Sequence, residues 1–72
     1  MRSIEVWYDN SSEWVNYTID EIDDYFEFVH KPDWTKVSVI YVHDAGLSKW
    51  MEIYFKGGYT KVYNSIFGTY AE

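Results

Sequence analysis

The stretch from Lys36 to Asn64 constrains the fold more than any other part of the chain. Its first run, KVSVIYVH (36–43), is dense in β-branched and aromatic residues and reads as a strand. Asp44-Ala45-Gly46-Leu47-Ser48 reads as a loop. KWMEIYF (49–55) and YTKVYN (59–64) then flank Lys56-Gly57-Gly58, a strong hairpin signal. Three such runs in succession, with short connections, commit the chain to a mainly antiparallel sheet.

Setting Lys56 opposite Tyr59 across the two glycines gives a register for the last hairpin. Phe55 then faces Thr60, Ile53 faces Val62 and Met51 faces Asn64, and this side makes the better core. The other side carries Trp50, Tyr54, Tyr59 and Tyr63. Rings with a polar tip are enriched in binding surfaces, so Trp50, Tyr54 and Tyr63 are candidate partner-binding residues. The plainer reading is that such rings suit half-exposed strands and pair across them.

Ahead of this block, SIEVWY (3–8) reads as a strand, Asp9-Asn10-Ser11-Ser12 as a turn and EWVNY (13–17) as a short second strand. Thr18 with Glu21 forms the capping box T-x-x-E. The helix it opens is expected to run to about His30, with Lys31-Pro32 closing it. The order β-β-α-β-β-β describes an α+β fold, one domain over residues 1–72, with one amphipathic acidic helix packed on one face of the sheet. On a helical wheel Ile19, Ile22, Phe26 and Val29 share an arc bordered by Tyr25. Asp20, Glu21, Asp23, Asp24, Glu27 and Phe28 occupy the other side.

Those five carboxylates fall within eight positions, 20 to 27. The net charge is −6, and it is unevenly placed. Residues 1–30 hold eight acids and one base, Arg2, whereas residues 31–72 hold four acids and five lysines. Direct binding to DNA, RNA or an anionic membrane needs a basic face, which this distribution does not supply. A basic partner fits it. Asp20, Asp24 and Glu27 would form one stripe at helical spacing, with Asp23 beside it, about 5–6 Å between neighbours. Such a row can occupy a groove built for a phosphate backbone. An ordinary solvated helix face, with acids favouring the helix N-terminus, is the simpler alternative.

The chain has no cysteine, so neither disulfides nor thiolate metal sites are available, and packing alone must hold 72 residues together. Four Trp, eight Tyr and four Phe supply the apolar area. The N-terminus lacks the apolar run of a signal peptide and no stretch is long enough for a membrane helix, so a cytoplasmic location is expected. No serine sits in a nucleophile elbow, no glycine-rich phosphate loop or calcium loop is present, and His43-Asp44 are strand neighbours that point apart. No enzymatic activity, cofactor or metal is therefore expected.

In charge, size and aromatic content the chain resembles small acidic proteins with which phages and mobile elements block host nucleic-acid enzymes. These include inhibitors of restriction enzymes, of CRISPR effectors and of DNA repair glycosylases. The resemblance lies in composition and assigns no residue. It implies a protein-binding inhibitor, a DNA mimic of the anti-restriction or anti-CRISPR type, seated in the basic groove of a nucleic-acid-binding protein. Asp20, Asp23, Asp24 and Glu27 would face its cations, with anchors among Trp7, Trp14, Trp50, Tyr54 and Tyr63. The alternative is a structural or assembly protein that forms a homodimer through the Trp50/Tyr54/Tyr63 face.

Overall fold

A computed structural model describes residues 2–72. Strands β1 (Ser3–Tyr8) and β2 (Glu13–Thr18) form an antiparallel hairpin. Helix α1 (Ile19–Tyr25) follows at once, then a two-residue strand β3 (Glu27–Phe28) and a 3-10 turn (Trp34–Lys36). The rest is sheet: β4 (Val37–Ala45), β5 (Ser48–Phe55), β6 (Thr60–Ile66) and β7 (Thr69–Ala71). All seven strands join in the order β2-β1-β4-β5-β6-β7-β3. The sheet is mixed, because β1 pairs parallel with β4 and β3 pairs parallel with β7.

That order forces curvature. Seven strands about 4.8 Å apart would span roughly 29 Å if flat. The two edge strands, β2 and β3, are nevertheless consecutive in the chain, joined only by α1 and Phe26. A helix of seven residues covers about 10 Å. The sheet must curl until its edges approach, and it forms a half-barrel. Rings span the gap: Tyr17 on β2 meets Phe26 edge-on at 6.1 Å, and Phe26 meets Tyr70 on β7 at 6.0 Å.

The concave side holds the core. Ile4 and Val6, Ile40 and Val42, Met51 and Ile53, Tyr63 and Tyr70 line it from successive strands, and Ile22 and Trp34 cover them. A bulge between Val37 and Val39 lets both Val37 and Ile40 point inward. Phenol hydroxyls buried at the rim find partners, Tyr8 with Tyr17 at 2.7 Å and Tyr63 donating to Glu72 Oε1 at 3.2 Å. Burial, with the Tyr17 hydrogen bond next, holds the Tyr8 phenol far above its usual range.

Three expectations are corrected. The helix starts at the capping box, as both of its hydrogen bonds show (Thr18 N–H to Glu21 Oε1, 2.8 Å; Glu21 N–H to Thr18 Oγ1, 3.2 Å), but it ends at Tyr25 rather than near His30. Phe26 is already extended (φ −124°, ψ 125°). In F-E-F, residues 26 and 28 point the same way only in an extended chain, and both rings reach Tyr70. Phe28 is thus a core contact of Trp34 and Tyr63, not part of a polar helix face. Glu27 leaves the helix with it.

The second correction is the register of the β5–β6 hairpin. The loop has three residues, Lys56 to Gly58, closed by Gly58 N–H to the Phe55 carbonyl and Phe55 N–H to the Tyr59 carbonyl. Gly58 takes the left-handed position (φ +86°) that this turn requires. Tyr54 therefore faces Thr60 and Met51 faces Tyr63. A slip of one residue exchanges the two faces of a strand. Tyr63 is 2% exposed in the core, and Val62, expected inside, is 49% exposed. The third correction is an additional strand: Phe67-Gly68 turns the chain back into β7, both residues at positive φ (52° and 82°).

Candidate functional site

Among the described residues no element covers the convex side of the sheet. Alternation along each strand and in-register pairing between them set its side chains in rows. One row reads Trp14, Trp7, Tyr41, Glu52, Val62 from β2 to β6. The next reads His43, Trp50, Asn64, and on the other side lie Glu5, Val39, Tyr54, Thr60. The rings touch in sequence: Trp7 on Trp14 at 5.1 Å, Trp14 edge-on to Tyr41 at 5.7 Å, and Tyr41 on Tyr54 at 5.2 Å. His43 stacks flat on Trp50 at 3.9 Å.

Carboxylates are set among these rings. Asp9 follows β1 and its Oδ2 lies 3.2 Å from His43 Nδ1. Glu52 Oε2 accepts from the Tyr54 hydroxyl at 3.1 Å, and that bond, with the carboxylate's charge, holds the Tyr54 phenol above its ordinary range. Glu5 stands exposed in the same face. Between the rings lies a cleft of about 180 Å³ lined by Trp7, Asp9, Tyr41, His43, Trp50 and Glu52.

Among the described residues no lysine or arginine projects from a strand onto this face. Arg2 precedes β1 and donates to the Val37 carbonyl at 2.8 Å. Lys49 and Lys61 alternate with Trp50 and Val62, point to the other side, and pair with Asp44 (3.6 Å) and Glu72 (3.4 Å). Lys36 belongs to the 3-10 turn and Lys56 to the hairpin loop. Lys31 pairs with Asp23 at 3.4 Å.

The structure separates the candidate residues into different places. Asp20 and Asp24 are exposed on α1, and no ion pair reaches them among the described residues. Asp23 is committed elsewhere: its Oδ1 accepts from Trp34 Nε1 at 3.2 Å and meets Lys31, so it anchors the turn that covers the core. Glu27 is exposed on the edge strand β3, out of line with the helix acids. The expected stripe of Asp20, Asp24 and Glu27 is therefore not formed. Trp50 and Tyr54 do lie on the open face, half-buried by their neighbours, but Tyr63 is in the core. Because α1 packs on the concave side, its acids and the open aromatic face point away from each other.

Tyr41 and Glu52 are not singled out by the sequence, although they build the cleft with Trp7, Asp9, His43 and Trp50. The signal was present as alternation in V-I-Y-V-H and E-V-W-Y. What the sequence lacked was the parallel pairing of β1 with β4, which sets Trp7 beside Tyr41.

Comparison with known protein families, curated proteins and solved structures finds no match to this chain. Among the described residues no helix is long and apolar enough to cross a membrane, and no three His, Cys, Asp or Glu side chains gather where they could hold a metal ion.

Proposed function

We propose that this protein is a small acidic binding module that docks on the basic surface of a nucleic-acid-binding protein and competes there with nucleic acid. The observation that carries this reading is the convex face, on which aromatic rings and carboxylates stand together and from which every strand lysine is turned away. Rings supply rigid contact area at low entropic cost, and carboxylates select a cationic partner. Bases and phosphates present the same two chemistries. The exposed Asp20 and Asp24 on the far side add to the negative field that steers a basic partner without touching it. Self-association through the open face is opposed by like charge, since both copies would bring Glu5 and Glu52 to the interface and neither a strand lysine nor an arginine.

Capture from a bacterial lysate tests this reading. The baits are the wild type, a Glu5→Lys/Glu52→Lys variant and an Asp20→Lys/Asp24→Lys variant, washed at low and high salt, with captured proteins identified by mass spectrometry. Wild type and the helix variant are expected to hold a basic, nucleic-acid-binding protein that high salt releases. The open-face variant is expected to lose it. Equal capture by all three baits overturns the reading, and loss with the helix variant alone moves the site to α1.

A further inference from the structure

We propose that the cleft between Trp7, Tyr41 and Trp50 is a receptor for a guanidinium group, and that in the working complex it takes an arginine side chain of the partner. The inference rests on the basic-partner reading above and adds the residue type and the place where it binds. Three aromatic side chains line the cleft, and aromatic faces attract cations through the ring quadrupole. Its two carboxylates are each engaged through one oxygen, Asp9 Oδ2 with His43 and Glu52 Oε2 with Tyr54. The second oxygen of each accepts no hydrogen bond among the described residues. The cleft thus combines aromatic side chains with unused acceptors, and among the described residues no lysine or arginine lines it.

Guanidinium suits this combination better than ammonium. It is planar, it stacks on an indole or phenol ring, and its edge still donates several N–H groups to carboxylate oxygens. A lysine head is a compact, strongly hydrated point charge and uses a ring face less well. A volume of about 180 Å³ holds the head of one such side chain. Contacts within the site orient it: His43 stacks on Trp50 and meets Asp9, and Glu52 is oriented by Tyr54. A preorganised site loses less entropy on binding.

The test is a titration followed by amide and indole N–H resonances of the labelled protein. The probes are N-acetyl-arginine amide, the lysine equivalent, and the citrulline equivalent, which keeps the shape of arginine and removes the charge. Arginine amide is expected to move the Trp7 and Trp50 indole signals saturably in the millimolar range, as suits a single side chain. Lysine amide is expected to bind several-fold more weakly and citrulline amide to leave the signals in place. Glu52→Gln, a conservative change, should weaken arginine about tenfold, and Trp50→Leu should abolish the response, with the dispersed spectrum reporting that each variant is folded. Equal shifts with citrulline, no saturable shift with arginine, or a response unchanged in both variants overturns the proposal. The two readings fail separately. If arginine amide does not bind but the Glu5/Glu52 variant still loses its captured protein, the cleft is not the receptor and the docking face stands. If arginine amide binds and no basic protein is captured, the cleft stands and the docking reading falls.

Discussion

Tyr63 shows how much a single side chain decides here. Facing outward it would be a contact residue; facing inward it stacks on Phe28 at 5.5 Å and fills the core beneath β5. Tyr63→Ala should destabilise the fold by about 3 kcal/mol or more, while Val62→Ala, on the exposed side of the same strand, should cost less than about 0.5 kcal/mol. Urea unfolding of the two variants checks the register directly. Tyr63 also gives a pH signature. Burial, then the charge and hydrogen bond of Glu72, push its phenol up to about 12 from an ordinary value of 10.0. An unfolded chain releases that proton first, so the stability it protects is full below pH 10 and is lost as the pH rises towards 12. Tyr63→Phe should remove part of the alkaline loss of stability, read as a shallower fall of the unfolding midpoint across that window. Asp23 is the second decisive residue. Asp23→Ala leaves the Trp34 indole N–H without its partner and should cost about 1–2 kcal/mol, against nearly nothing for Asp20→Ala.

At the scale of elements, the strands of the central block and the start of the helix were legible because their signals are local. β-Branched runs mark β4 and β5, and the capping box marks the first turn of α1. The misread parts were set by partners distant in sequence. F-E-F continues a helical wheel acceptably, and only β7 gives it a reason to extend. The hairpin loop contains two glycines, which suggest a two-residue closure, and only the packing of Tyr63 in the core favours the three-residue one that forms. Phe67-Gly68 gives no turn signal in the sequence, because phenylalanine is rarely found at positive φ. Its ring is fully exposed, so it offsets none of the strain with burial. Phe67→Asn creates the preferred residue pair for a turn with two left-handed positions, and it should raise stability by up to about 1 kcal/mol, measured as a higher urea midpoint with unchanged slope.

For the molecule as a whole, closure of the half-barrel is the organising feature, and it determines which side of the sheet is left uncovered. The edges are tied through Phe26, between Tyr17 and Tyr70. Phe26→Ala should loosen both edges together. Amide hydrogen exchange in β2, and in β3 with its neighbour β7, is expected to quicken by one to two orders of magnitude, about 1.4 kcal/mol per factor of ten, while β4 and β5 keep most of their protection. Of the candidate site, the sequence showed the ingredients, tryptophans, tyrosines and acids, but not their arrangement, because the parallel β1–β4 pair joins segments more than thirty residues apart. The hairpin loop from Lys56 to Gly58 carries a consequence for how such a protein can change over generations. Surface loops ordinarily accept insertions and deletions. Here the loop acts as a counter: removing one glycine would turn β6 over, bring Val62 and Asn64 to the core and push Tyr63 out among the rings of the open face. Substitution at Lys56 should pass unnoticed, but the number of residues in the loop is as constrained as the identity of a core side chain.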